Sequence, residues 1–210
     1  MRALLRVLVS GMLALLMCFS AVAQTAEEQS LATLQDISQR LHRSDTVRGE
    51  FVQHRYLKIL SRPLTSTGDF YFQQNLGARW RVVQPYPSTI HITAEGKVFT
   101  SEQGQPMAEE FGQLLLALLL IDSEQLSHHF QVKATTVDSQ WSLTLTPHSD
   151  QWQQVVREIS VNGDRAVRSI EIHENGGDRT VVSIDNVSHK PLLSDTEKSE
   201  FLQIVGQPAQ

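Results

Sequence analysis

From Gly49 to Ile184, apolar side chains recur at every second position in short runs that turn-forming residues interrupt roughly every 8–15 positions. This alternation is typical of strands that turn one face toward a core. The clearest hairpin signals are Asn162-Gly163-Asp164 and Asn175-Gly176-Gly177-Asp178. Four further segments are interpreted as turns: Ser66 to Asp69, Asn75 to Gly77, Pro85 to Pro87, and Glu95-Gly96. The pattern predicts an antiparallel meander of about nine to eleven strands, in a sandwich or a barrel.

Two segments depart from this alternation and favour helix. Leucine and isoleucine recur at helical spacing between residues 26 and 43, which predicts an amphipathic helix with Leu31, Leu34, Ile37 and Leu41 on one stripe. The run from Leu114 to Ile121 is apolar on every side and too short to span a bilayer. It lies either inside a concave sheet or in an ordinary core, and the pattern alone leaves both open.

The first 23 residues are typical of a cleaved export signal. Arg2 and Arg6 precede an apolar stretch, and Ala21-Val22-Ala23 supplies the small residues that signal peptidase accepts. The alternative is a lipoprotein signal at Cys18, but Met17 occupies a position that normally requires a small residue. We therefore expect cleavage before Gln24, periplasmic localisation, and a single domain over residues 24–210 that contains no cysteine.

The charge balance argues against nucleic-acid binding. The chain contains 18 Lys and Arg against 23 Asp and Glu, a formal charge of −5. The first 23 residues hold two of the arginines and no acid, so the remainder carries −5 − 2 = −7. A net-acidic chain with no basic run offers nucleic acid no electrostatic footprint, and it also disfavours stable docking on anionic lipid.

Motifs that would indicate catalysis or metal binding are missing from the sequence. It contains no Gly-x-Ser-x-Gly, no His-Glu-x-x-His and no phosphate-binding loop. The adjacent pair His128-His129 is interpreted as part of a strand, where the two rings would point to opposite faces. We therefore expect no enzymatic activity, no cofactor and no metal site.

Several motifs in this order resemble those of the periplasmic lipoprotein carrier family, the LolA/LolB-like proteins. After the amphipathic first helix come Gly49-Glu50-Phe51-Val52-Gln53 and Gly68-Asp69-Phe70-Tyr71-Phe72. The later matches are Trp80, Pro85, the hairpin Glu95 to Phe99, the strand Trp141 to Pro147, and a ladder of hydrophobic strands that closes on Phe201. Together they cover nearly all of the chain after residue 23.

The resemblance implies a mainly β (α+β) fold, an incomplete antiparallel barrel whose mouth is covered by helices. Its apolar cavity would hold the acyl chains of a lipoprotein, a glycolipid or a related acyl product. The cavity wall would consist of Phe51, Phe70, Phe72, Trp80, Val82, Ile90 and Ile92. The lid would consist of Leu114, Leu115, Leu116, Leu118, Leu119 and Leu120.

The family resemblance also implies how the protein would work. A monomer would receive cargo from an inner-membrane donor complex and pass it to an outer-membrane acceptor. The chain departs from the family at Phe72-Gln73-Gln74-Asn75, where classical carriers have a basic Lys-Arg-Pro-Asn turn whose arginine holds the lid. The alternative is a non-catalytic envelope assembly factor or scaffold with a filled core.

Overall fold

The computed structural model describes residues 28–41, 45–94, 96–100, 108–189 and 193–205. The predicted export signal, its cleavage site and Cys18 lie outside these residues. The helices are α1 (28–41), α2 (Ala108–Leu120), α3 (Ser123–His129), α4 (Asp150–Gln153) and α5 (Asp195–Val205). The strands are β1 (Thr46–Tyr56), β2 (Leu64–Gln73), β3 (Gly77–Gln84), β4 (Ser88–Thr93), β5 (Val98–Thr100), β6 (Phe130–Val137), β7 (Gln140–Pro147), β8 (Val156–Gly163), β9 (Val167–Glu174) and β10 (Arg179–Ser188).

All ten strands form one antiparallel sheet in the order β5-β4-β3-β2-β1-β10-β9-β8-β7-β6. Two five-stranded meanders, β1 to β5 and β6 to β10, are joined where β1 pairs with β10. The edge strands β5 and β6 are not paired with each other, so the sheet is open. The predicted incomplete antiparallel barrel of nine to eleven strands is therefore confirmed. No helix among the described residues is long and apolar enough to cross a membrane.

The strand register determines which side chains share the inner face of the sheet. Residues directly opposite each other in antiparallel strands lie on the same face. Phe51 lies opposite both Gly68 and Ile184, which places one continuous apolar surface across the β1–β10 junction. This surface and the buried sides of α1 and α2 form the main core.

Gly68 corrects one prediction. Residues Ser66 to Asp69 were expected to form a turn, but they lie within β2. A Cβ atom at Gly68 would lie 2.6 Å from Cζ of Phe51 and 1.9 Å from the backbone oxygen of Arg81. The glycine is therefore required because the Phe51 ring packs directly against the strand, and not because the chain turns there.

The N-terminal helix packs as predicted, with one exception. Leu34, Ile37 and Leu41 are buried, whereas Leu31 is 37% exposed. Only the last three of the four predicted residues therefore pack into the core.

The histidine pair corrects a second prediction, because His128 and His129 end helix α3 and do not belong to a strand. Asp122 is the N-cap of this helix, and its side chain accepts hydrogen bonds from the backbone N–H groups of Glu124 and Gln125. Burial, followed by the neighbouring His128 and His148, lowers the pKa of His129. Among the described residues, no group of three or more His, Cys, Asp or Glu side chains is placed to hold a metal ion.

A third correction concerns Phe201, which was assigned to a closing strand but belongs to helix α5. This helix covers the outer face of the sheet, where the Phe201 ring lies 6.4 Å from the Tyr71 ring and 5.5 Å from the His91 ring. Arg48 donates two hydrogen bonds to the Glu197 carboxylate, at 2.9 and 3.0 Å. These contacts hold the C-terminal helix on the side of the sheet away from the main core.

Candidate functional site

All seven residues of the predicted cavity wall lie on the inner face of the sheet. The register places Phe70 opposite Trp80, and Trp80 opposite Ile90. Phe51, Phe70, Trp80 and Ile92 are buried, while Phe72, Val82 and Ile90 are partly buried. The period-two pattern places residues of one strand on the same face, and the register between strands brings these faces together.

The aromatic members of this wall pack against one another. The rings of Phe51 and Trp80 are stacked with their centroids 3.8 Å apart, and the Phe70 ring lies 5.7 Å from that of Trp80. The cavity beside Phe70 has a volume of only about 20 Å³, also lined by Leu119 and Leu120. Because this space is about the size of one water molecule, little room is left between Phe70 and the end of α2.

A larger cavity of about 400 Å³ lies at the end of the sheet where β1 and β9 finish and β8 and β10 begin. This volume is within the usual range for small-molecule sites. Its apolar lining consists of Ile90, Phe111, Leu114, Trp152, Val155, Val156 and Ile172. Its polar lining consists of Gln53, Arg55, Ser88, Thr100, Glu174 and Thr180. Of the predicted wall, only Ile90 borders this space, together with Leu114 of the predicted lid.

Among the described residues that line this cavity, the charged side chains are Arg55 and Glu174, which form one ion pair. Nη2 of Arg55 lies 3.8 Å from Oε1 of Glu174, and the two side chains are 48% and 26% exposed. Such a loose, solvated pair contributes little to stability. Arg55 lies two positions beyond Gln53 and four beyond Phe51, so the period-two pattern could have placed it on the inner face.

The leucine-rich helix α2 separates two cavities. A second cavity of about 210 Å³ lies between α2, α3 and α4, and both Leu114 and Trp152 border it as well as the larger one. Leu115 and Leu118 are buried in the core, whereas Leu116 is only partly buried. The helix is therefore embedded along one side. Its wholly apolar composition had suggested that it would be enclosed on every side, which is not the case.

Local contacts fix both ends of α2. Near its start, Nε2 of Gln113 donates a 2.7 Å hydrogen bond to the backbone oxygen of Gly96, and Gly112 allows close approach to Val98. At its end, Ile121 is fully buried with a φ of 50°, a left-handed conformation that is unfavourable for a β-branched residue. Since the C-terminal position after a helix usually takes glycine or asparagine, burial of the Ile121 side chain holds this strained end in place.

The sequence did not predict that Trp152, on α4, lines the cavity. Helix α4 spans only four residues, and it presents Trp152 to the cavity from a buried position. The ring lies 6.1 Å from that of Phe130 on β6. A helix this short has no periodic stripe, so no pattern in the sequence could have indicated its inward-facing residue.

Similarity to solved structures concerns the fold. A chain of the MucA/MucB complex from Pseudomonas aeruginosa is 11% identical, with a TM-score of 0.52 over 81% of this chain and 60% of that chain. The present chain thus spans about 60% of that relative's length. A LolA superfamily protein from Nitrosomonas europaea is 10% identical, with a TM-score of 0.45 over 78% of this chain and 96% of that chain.

Comparison with protein families is more direct. No curated protein sequence matches the chain at a significant level. Residues 42–197, well over half of the chain, match the family described as outer membrane lipoprotein carrier protein LolA. The matched segment begins just beyond α1 and ends in the first turn of α5, so it includes all ten strands and the helices that line the cavities. The chain therefore belongs to the LolA family.

Proposed function

We propose that this protein is a non-catalytic periplasmic carrier that shields the acyl chains of a lipoprotein or related lipid and ferries it from the inner to the outer membrane. Residues 1–23 would direct export, and residues 24–210 would form a single carrier domain. The observation that carries the proposal is the cavity of about 400 Å³ with a mainly apolar lining, bordered by Leu114 of α2. Family membership supports the same function.

The size of the cavity suits reversible binding. Each buried methylene contributes about 0.8 kcal/mol, so a fully buried chain of about 16 carbons would be held by on the order of 10 kcal/mol. A carrier that bound this tightly would release its cargo slowly. Partial burial in the existing cavity keeps transfer possible, and the Arg55–Glu174 pair at its rim favours an orientation with the polar end of the lipid outward.

The first test is native mass spectrometry of the protein purified gently from its own periplasm, followed by extraction and identification of bound lipid. A recovered lipoprotein or other acylated molecule supports the carrier function and names the cargo. An enzyme of lipid or cell-wall metabolism would instead convert an added substrate under the same conditions.

A matched pair of variants tests the location of the site. Val155→Trp introduces a large ring into the cavity, and we expect it to weaken binding of a fluorescent acyl probe about tenfold, equivalent to about 1.4 kcal/mol. Val137→Trp is the control, because Val137 is 71% exposed at the opposite edge of the sheet. Equal probe binding by both variants would contradict the assignment of the site.

One observation favours a second candidate, an envelope assembly factor or scaffold. The stacked rings of Phe51 and Trp80 fill the inner face of the β1–β4 half, as the core of a structural protein would. Repeated recovery of an empty protein that also ignores acyl probes would favour this candidate over the carrier.

A further inference from the structure

The loop between β1 and β2 exposes apolar side chains that the fold does not use. Residues 57–63 form this loop, in which the N–H of Leu60 donates a 2.9 Å hydrogen bond to the carbonyl of Leu57. This turn presents Ile59, which is 88% exposed, together with the half-exposed Leu60. Leu64, the first residue of β2, is also exposed. Contiguous exposed apolar residues of this kind indicate an interaction surface.

A second exposed aromatic residue lies at the same end of the strands as this loop. Tyr86, which is 82% exposed, occupies the turn between β3 and β4, and β2 pairs with both β1 and β3. Two neighbouring hairpins therefore present apolar or aromatic tips in the same direction. Tyrosine is favoured where protein meets the headgroup region of a bilayer, because its ring is apolar and its hydroxyl is polar.

The charges in the loop determine the kind of surface it fits. Lys58 and Arg62 flank Ile59-Leu60, both are exposed, and residues 57–63 contain no acid. An acidic residue outside the loop, Asp178, contacts its base. The Asp178 side chain accepts a hydrogen bond from the backbone N–H of Lys58 and so holds the base of the loop in place. An apolar tip between two cations matches a bilayer whose headgroups are anionic.

The net negative charge of the chain does not oppose this match. At physiological salt, charges farther away than about 8 Å are largely screened, so the loop's own cations dominate its interaction with a surface that it touches. The whole-chain balance, which disfavoured stable docking, therefore allows local and reversible docking through this loop.

We propose that the 57–63 loop, assisted by Tyr86, docks the protein on an anionic lipid bilayer. Arg55, just before the loop, and Ser88, just after the Pro85–Pro87 turn, both line the larger cavity. Docking would therefore turn the mouth of that cavity toward the bilayer. If the proposed carrier function holds, on which this last step rests, cargo passes between cavity and membrane directly at the docked edge.

The test is co-flotation of the mature protein with lipid vesicles. We expect the protein to float with vesicles of phosphatidylethanolamine and phosphatidylglycerol, to bind vesicles of phosphatidylcholine more weakly, and to lose binding as salt is raised. Ile59→Asp should lower the bound fraction about tenfold, because it removes the apolar tip and adds an acid. The double variant Lys58→Gln/Arg62→Gln should bind both kinds of vesicle equally and lose the salt dependence.

Val137→Asp is the matched control, since it makes the same kind of change at an exposed valine on the opposite edge. It should float as the wild type does. Absence of wild-type binding to anionic vesicles would overturn the proposal, as would equal losses in Ile59→Asp and Val137→Asp. Binding of an acyl probe in solution is measured on the same samples: a protein that binds the probe but no vesicle refutes the docking surface and leaves the carrier function standing.

Discussion

At Gly68, the absence of a side chain allows the Phe51 ring to pack on the inner face of the sheet. The Phe51 ring rests against the β2 backbone, and the space that a Cβ would need is occupied by its Cζ atom and by the Arg81 carbonyl. Sequence alternation placed Phe51 correctly, but it could not separate a glycine in a turn from a glycine beneath a ring. Both uses require the absence of a side chain, and only the contact across strands distinguishes them.

We therefore predict that Gly68→Ala lowers the free energy of unfolding by about 1–3 kcal/mol, through displacement of the Phe51 ring and the neighbouring strand. Urea denaturation measures the loss. Gly176→Ala provides the control, because a Cβ at Gly176 would meet no atom within 4 Å. Its unfolding free energy should stay within about 0.5 kcal/mol of the wild type. Equal stability of the two variants would show that both the Phe51 ring and the β3 backbone at Arg81 can shift at little cost.

His91 makes stability depend on pH through its burial under α5. Burial, followed by the nearby Arg79 guanidinium, lowers the pKa of His91 from 6.5 to about 4. Between these two values the unfolded chain binds a proton at His91 and the folded chain does not. Acidification through this interval therefore favours unfolding, and stability is regained as the pH rises above about 6.5.

The expected contribution of His91 is about 3 kcal/mol lost between pH about 6.5 and 4, as measured by urea denaturation at a series of pH values. His91→Gln should remove this part of the decline. Glu197→Gln should keep it, because the Arg48 hydrogen bonds lower the pKa of Glu197 from 4.5 to about 2, and its stabilisation is lost only as the pH falls through that lower interval. Parallel curves for His91→Gln and the wild type would exclude His91 as the cause.

Among the elements, strands were predicted more reliably than helices. Alternation is a local property, and it held from β1 to β10 because each strand buries one face. Helix α5 was missed because only Phe201 among its described side chains is fully buried, so it has no stripe to detect. Its start, however, carries a signal that the sequence offers: Ser194 and Glu197 form a capping box, in which the Glu197 carboxylate accepts from the Ser194 N–H at 2.8 Å.

Because Phe201 is the fully buried apolar contact between α5 and the sheet, we predict that Phe201→Ala loosens this helix without unfolding the sheet, even with the Arg48–Glu197 ion pair in place. Hydrogen exchange followed by mass spectrometry should show faster exchange in residues 195–205, while β6 to β10 keep the protection of the wild type. Leu202→Ala is the matched control, since Leu202 is exposed and adjacent. Faster exchange across the entire sheet would mean that α5 belongs to the cooperative core.

On the scale of the whole molecule, packed and hollow regions coexist behind one continuous apolar face. The aromatic stack fills the space near Trp80, whereas the larger cavity opens beside Ile172 and Trp152. The sequence predicted the common face, and the family resemblance supplied the architecture of an open barrel with a cavity. Neither the sequence pattern nor the family resemblance indicated where the cavity lies. Its position depends on the summed volumes of side chains from α2, α4 and six strands, which become neighbours only in the folded chain.

Helix α2 is where this packing can be varied, because Leu114 borders both the larger cavity and the smaller one behind the helix. We predict that Leu114→Ala joins the two spaces and shifts the preference of the protein toward longer acyl chains. The measurement is the affinity for a series of fluorescent acyl probes of increasing length. The variant should also lose about 2–5 kcal/mol of unfolding free energy, as buried leucines usually do.

Leu116→Ala is the appropriate control, since Leu116 lies on the same helix, is only partly buried and borders neither cavity. It should keep the wild-type order of chain lengths and lose less stability. Because the order of preference compares probes within one variant, a general loss of stability cannot imitate the shift. An unchanged order in Leu114→Ala would mean that Trp152 alone separates the two cavities, and that α2 forms a fixed wall and does not regulate the space available to cargo.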